Sequence, residues 1–437
     1  MFRPLVRLAV LATLALPVMA AGQDPLTGAQ PISLSAAVQQ AQANAPQTVQ
    51  ALGDARVANA NYKSAIAAFL PSISFSQYAG HQQGLYYQGG ILIPAPGTWG
   101  YSQSYGAGIT LFNGGANYMD YRSARASLVA ADQSQIIEQF TIGLSVKQQY
   151  FAVLAAREAV AAAEEQVNEA NKQMAVTEAR VAGGALSRAD SLASAVTVGQ
   201  ARVALATAQG NLITANTSLT RLVGAPHEVT ATPADTALVP SISLDRAALV
   251  QLALKGPAVR KAESQVDANR SAWWASVAAY LPTLGMQYGS GSSWSTPHFV
   301  LGGGTKSTST SLSFYVSYSL FSGFNRESRI VSADVNRDVA TAQLRDARLA
   351  ARENIAQYLS QFGTAQTKIE LQRLTIESAE QNVEAKDTQY RAGAVSLVEV
   401  LAAQSALATA RQGLIQARLD ARTAKAQIEA LIGRDIE

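Results

Sequence analysis

The chain contains no cysteine, which excludes disulfides, thiolate-ligated metal and a lipid-bearing cysteine near its start. Its three histidines, His81, His227 and His298, are scattered through expected loops and the inter-repeat segment, so no imidazole stands at metal-ligand spacing from another. Neither sign of charge dominates, with 34 basic against 31 acidic residues, and that balance leaves no electrostatic footprint for nucleic acid. No apolar run reaches the roughly twenty residues a spanning helix needs. The stretch Gly302-Gly303-Gly304-Thr305-Lys306-Ser307 lacks the spacing of a phosphate loop and precedes a strand pattern, so it reads as a surface loop. No constellation for catalysis and no cofactor signature emerges, and the chain reads as something other than an enzyme.

What is present begins with the layout of a secretory signal peptide over residues 1–20. Arg3 and Arg7 precede the apolar run Leu8 to Val18, and small residues surround Ala20. Residues 21–33 read as an N-terminal extension. Beyond them the chain is duplicated, residues 34–224 forming one repeat and 242–437 the other. Leu70-Pro71 aligns with Leu281-Pro282, Leu111-Phe112-Asn113-Gly114 with Leu320-Phe321-Ser322-Gly323, and Gly184-Ala185 with Gly393-Ala394. A period of about 210 residues is too long for a solenoid and implies one duplicated structural unit. The proline-bearing segment 225–241 reads as the linker.

Each repeat reads helix, two strands, long helix, helix. In the first the expected helices cover 34–69, 116–181 and 187–223, with a β-hairpin at about 72–112. In the second they cover 244–280, 324–391 and 397–432, with a hairpin at about 283–321. Pro46 predicts a kink or a late start in the first helix, and Leu70-Pro71 ends it, because a residue before proline is pushed out of the α region. The stretch Gly80 to Gly100 reads as a long glycine-rich loop. The long helix of roughly 66 residues would span about 100 Å, a length typical of coiled coils. The two shorter helices of a repeat match it when stacked end to end.

The stretch Ser309 to Asn325 alternates strictly. Leu312, Phe314, Val316, Tyr318 and Leu320 fall on one face and serines with Tyr315 on the other. That pattern suits a transmembrane barrel strand facing lipid on one side and water on the other. It also suits a half-buried strand of a soluble sheet. Four strands are too few to close a barrel around water, so the membrane reading requires oligomerisation, and three chains would supply twelve strands.

The duplication, the paired Leu-Pro and Leu-Phe-x-Gly junctions and the Gly-x-x-Ser-x-x-Asp/Glu-x-Leu turns together resemble the TolC-like outer-membrane efflux protein family over essentially the whole chain after residue 20. The resemblance implies a mainly α fold with a transmembrane β portion. It further implies a homotrimer whose twelve-stranded barrel spans the outer membrane and continues as a twelve-helix coiled-coil tunnel into the periplasm. Its implied partners are outer-membrane lipid, a periplasmic adaptor and an inner-membrane pump of RND or ABC type. The implied function is a passive exit duct for efflux or type I secretion, with cargo selectivity in the pump.

Carried onto this sequence, the family's adaptor-contacting tips fall on Gly183, Gly184, Ala185, Leu186 and Ser187 and on Gly393, Ala394, Val395 and Ser396. Its periplasmic gate falls on Asp190, Tyr390 and Glu399. The three glycines also have a purely conformational reading as turn residues with positive φ, and the two acids a reading as complements to a helix N-terminus. Val395 and Ala402 stand where relatives carry a gate arginine and a second acid, which implies a differently wired gate. The rival reading is a periplasmic coiled-coil scaffold that never enters the membrane.

Overall fold

The computed structural model describes residues 28–232, 242, 245–300 and 302–436. The expected signal peptide and the linker's 233–241 lie outside them. The chain folds as β1 Gln30–Ile32, α1 Leu34–Asn44, α2 Pro46–Ala67, β2 Ser72–Gln88, β3 Ile91–Asn113, α3 Ala116–Ala182 and α4 Arg188–Val223. The second half follows as β4 Val229–Ala231, α5 Arg246–Ala253, α6 Pro257–Val277, β5 Thr283–Thr296, β6 Ser307–Ser317, α7 Asn325–Arg391 and α8 Leu397–Ile432.

The first helix of each repeat is two helices, where continuous ones were expected over 34–69 and 244–280. Proline makes the break. Ala45, held extended before Pro46, separates α1 from α2, and Gly256 does the same before Pro257. Each proline then occupies the first turn of the next helix, where its missing N–H costs nothing.

The long helices set the dimensions. α3 and α7 have 67 residues each and α4 and α8 have 36 each, so α3 is about 100 Å long. The shorter helices share its length between them. Asn117 donates to the Ala68 carbonyl after α2 (3.2 Å), Gln42 of α1 donates to the Gln139 carbonyl (2.9 Å), and Gln149 donates to the Ala215 carbonyl of α4 (3.1 Å). Thus α2 and α1 cover the sheet end of α3, and α4 covers the rest.

Where those helices meet, the parallel pair β1–β4 closes a buried core of Val146, Tyr150, Val153, Leu212 and Leu219. The Tyr150 hydroxyl donates to the Ile32 carbonyl and accepts from the Thr232 N–H, both at 3.0 Å. Sequence reading missed both strands, because three residues are too few to display a period. β4 lies in what was expected to be featureless linker, yet all three of its residues are buried.

The remaining four strands form one antiparallel sheet in the order β2-β3-β5-β6. The expected loop from Gly80 to Gly100 is instead strand. β2 and β3 pair up to Gln88–Ile91 around Gly89 and Gly90, whose φ values of 62° and 86° make a two-residue turn of the kind that suits twisted hairpins.

Candidate functional site

Two regions carry chemistry that the fold itself does not need: the paired turns at one end and the open sheet at the other. At the turns, α3 and α7 end in the same way. Ala185 N–H bonds to the Arg180 carbonyl and Ala394 N–H to the Gln389 carbonyl, both at 2.9 Å. Gly184 and Gly393 take φ of 75° and 78°, the left-handed closure that glycine permits. Gly183 does not share that requirement. Its φ is −79°, and Ala392 fills the equivalent place with φ of −76°, so the conformational reading holds for two of the three glycines.

Asp190 and Glu399 close capping boxes at the starts of α4 and α8. Asp190 accepts from the Ser187 N–H at 3.1 Å, and Glu399 accepts from the Ser396 N–H at 3.4 Å. Capping therefore accounts for both acids more specifically than the helix dipole does. Glu399 also meets Lys386 of α7 at 2.8 Å. That contact first, and the Ser396 N–H second, hold its carboxyl below the ordinary value of 4.5. Among the described residues no hydrogen bond or ion pair joins Asp190 to Tyr390 or to Glu399.

Tyr390 is the buried member of the expected gate, 1% exposed, and its partners come from the other hairpin. Its hydroxyl lies 3.1 Å from Thr177 Oγ1 on α3. Because the Thr177 hydroxyl already donates to the Gln173 carbonyl (2.9 Å), Tyr390 must be the donor. Arg180 of α3 lies over the Tyr390 ring, 4.8 Å from its centroid, and donates to the Tyr390 carbonyl. Thr177 and Arg180 were not legible as gate residues, since nothing local marks a partner 213 or 210 positions away.

Around Tyr390, Leu397 and Val400 form a small core against which Leu186 and Val395 pack half-buried. Of the expected contact surface, Gly183, Gly184, Ala185, Ser187, Gly393, Ala394 and Ser396 are exposed. Leu186 and Val395 are spent largely on joining the two tips.

Farther along, α8 is tied to α3 by Arg418–Glu158 at 3.0 Å and Arg411–Glu169 at 3.6 Å, Arg411 also reaching Glu380 at 3.2 Å. Burial raises the Glu169 carboxyl above its usual range despite Arg411. Nearer the sheet, Lys147 of α3 bonds Glu429 at 2.5 Å and Asp435 at 2.7 Å. Burial alone would lower its amine, but these two bonds prevail and raise it.

The sheet end is amphipathic across all four strands. Register puts Ile73, Ala107, Tyr288 and Leu312 in one row, with Ile109, Met286 and Phe314 in the next and Leu284 beside Val316 below. The opposite face carries Ser74, Gly106, Gly289 and Ser311 in one row and Ser76, Ser104, Gly291 and Ser309 in another. The apolar face of the edge strand β6 is open to solvent, with Phe314 65% and Val316 71% exposed, whereas the inner strands β3 and β5 are mostly half-buried.

The strand that carries Leu312, Phe314 and Val316 ends at Ser317. Tyr318 and Leu320, expected to continue its apolar face, lie beyond it at the junction with α7. There Phe321 and Phe324 are also exposed, their rings 5.7 Å apart. Phe324 is the one described non-glycine residue with positive φ, 62°, at the place where the first repeat has Gly115. No described helix is long and apolar enough to cross a membrane, and no described cluster of His, Asp and Glu has the makings of a metal site.

The described chain is a four-stranded sheet with free edges on β2 and β6 standing on long helical hairpins. The chain belongs to the outer membrane efflux protein family, whose model matches residues 37–225 and 248–434. Its fold is that of solved channels. CusC, described in terms of folding and transmembrane channel formation, superposes with a TM-score of 0.80 at 18% identity, covering 92% of each chain. The outer membrane protein VceC of Vibrio cholerae superposes at 0.75 and 17% identity over 92% of this chain and 97% of that one. The open-state MtrE channel of Neisseria gonorrhoeae does so at 0.76 and 17% over 92% and 89%. Among curated sequences, Protein CyaE of Bordetella pertussis is 27% identical over 305 residues, a match that spans 69% of this chain and 64% of that relative.

Proposed function

We propose that the protein is a passive exit duct of the outer membrane, working as a homotrimer. Three copies would pair β6 of one with β2 of the next, closing twelve strands into a barrel and removing the free edges. The single observation that carries this reading is the two-sidedness of the sheet: Ser and Gly fill rows of one face across all four strands, while the other is apolar in its rows nearest the helices and turns polar only at Ser290 and Thr310 and at the row Gln77, Gln103, Ser292 and Thr308. A membrane-spanning barrel needs lipid outside and water inside, and a soluble sheet would bury the apolar face. Leu312, Phe314 and Val316 would then meet lipid, and the helices would continue the water path through the periplasm.

Opening would require the α3–α4 and α7–α8 tips to part. Within one chain that means breaking the Arg180–Tyr390 and Tyr390–Thr177 contacts, a charged hydrogen bond, a cation–π contact and a neutral hydrogen bond, together on the order of 2–4 kcal/mol. The exposed turn residues beside this latch offer a periplasmic adaptor a grip on both tips at once. Binding to the parted tips would shift the population by the adaptor's preference for that state. The energy and the choice of cargo would reside in an inner-membrane pump of RND or ABC type.

Fractionation tests the duct against a soluble scaffold. The duct is extracted from outer membranes only with detergent, as an oligomer, and conducts ions in planar bilayers; release by osmotic shock as a soluble species would exclude it.

A further inference from the structure

The hairpin tip of β2 and β3 rises beyond every other strand of the sheet, and its surface does not suit water. β6 begins at Ser307, level with Ser293, Ser102 and Tyr78. Pairing of β2 with β3 continues above that level to Gln88–Ile91. From Gln82 to Tyr101 the sequence has no charged residue. Leu85, Tyr87 and Leu92 share one face of the tip, and Tyr86, Ile91 and Ile93 the other. Leu85 and Tyr87 are 63% and 74% exposed, and Ile91 is 68% exposed. A strand in a barrel wall has one apolar face; this tip has two, and a patch of that kind calls for a partner.

Lipid would cover only one side. On the apolar face of the sheet, Trp99 packs on Phe299 at 4.8 Å and Tyr101 stacks on Trp294 at 5.3 Å, the latter pair buried where the β5–β6 connection folds over it and Val300 N–H donates to the Tyr101 hydroxyl, so the connection caps the sheet below the tip. The tip extends about seven residues past His81, which lies opposite Trp99, roughly 23 Å along the strand. A twelve-stranded barrel has a radius of about 12 Å, so three such hairpins leaning inward reach one another on the axis. In a threefold cluster each hairpin meets both neighbours, and both its faces are covered.

The hairpin also has a place to bend. Gly80 stands opposite Gly100, and the register shifts between Gln82 and Gly84. The irregularity interrupts the ladder there, just above the Tyr78 ring that lies over Gly80 and the His81–Trp99 contact at 5.3 Å.

Resting on the trimeric duct reading, we propose that residues 82–98 form an extracellular flap whose partner is the same hairpin of the other two copies, together closing the outer mouth of the barrel. The chain's lack of cysteine makes the test direct. Trimers of Tyr87→Cys, purified in detergent, should yield covalent dimers under mild oxidation, reversed by dithiothreitol. A second readout uses Ser293→Cys on the hydroxyl-lined face, labelled in whole cells with a membrane-impermeant maleimide from outside. Adding Leu85→Ser, Tyr87→Ser and Leu92→Ser should raise that labelling at least tenfold. Either result alone overturns the flap: trimers that give no cross-links, or labelling unchanged by the three serines. Quenching of reconstituted Tyr87→Trp trimers by brominated lipids in excess of the quenching that the parent's four tryptophans show also overturns it, assigning the tip to lipid. Native mass measurement of the same preparations separates the premises: trimers without cross-links refute the flap alone, whereas monomers refute the duct and the flap together.

Discussion

Arg180 and Tyr390 join the two helical hairpins of one chain at their tips. The guanidinium covers the ring at 4.8 Å while donating to the same residue's carbonyl, so one side chain holds both the side chain and the backbone of its partner. Tyr390→Phe removes only the bond to Thr177 and should loosen the tips by about 1 kcal/mol. Arg180→Ala should cost about 1–3 kcal/mol. In planar bilayers both variants should show a higher open probability than the parent, Arg180→Ala the more so. Parental behaviour from both would remove this pair from the gate.

Adjacent residues on β6 should respond in opposite ways to charge. Val316 lies in the apolar rows and Ser317 on the hydroxyl-lined face beside Thr283. Val316 lies one residue from the helix end of β6, near the inner interface, so Val316→Arg should cost up to about 1 kcal/mol and should lower the yield of folded trimers in the outer membrane. Ser317→Arg should assemble and alter ion selectivity. Equal tolerance of the two substitutions, scored by heat-modifiable mobility on gels, would refute the assignment of faces.

The turn glycines should separate on substitution. Gly184→Ala places a Cβ on a residue with φ of 75° and should destabilise by about 1–2 kcal/mol. Gly183→Ala reproduces the arrangement that Ala392 already adopts and should be neutral or slightly stabilising. Thermal unfolding of the two variants, compared with the parent, decides this.

Acid should reach the Lys386–Glu399 contact late. A carboxyl held below its ordinary value contributes stability that is complete above 4.5 and is lost as pH falls through the depressed folded-state value. The difference in melting temperature between the parent and Glu399→Gln should therefore be constant from neutral pH down to about 4.5 and shrink below it. A difference that instead vanishes between pH 7 and 5 would show that the contact does not form in solution.

How much of this was legible before any coordinates follows from the range of each interaction. Proline acts on its immediate neighbour, so the breaks at Pro46 and Pro257 and the strand starts after Leu70-Pro71 and Leu281-Pro282 are encoded where they occur, although reading each first helix as one overran both breaks. The alternation of Leu312, Phe314 and Val316 with serines is likewise local. It identified a two-faced strand without showing that Tyr318 and Leu320 lie past its end.

The sequence by itself determined the duplication, the helical hairpins, the glycine turns and the two-faced strands, because those rest on φ/ψ limits and on periods of 3.6 and 2. Tertiary structure alone decided the rest. Three-residue strands β1 and β4 exist because they pair around Tyr150, and the glycine-rich stretch from Gly80 is strand because its partner β3 lies alongside. Arg180 finds Tyr390 only because two separate hairpins end at the same height. Such contacts depend on where distant segments are packed, which no local pattern records.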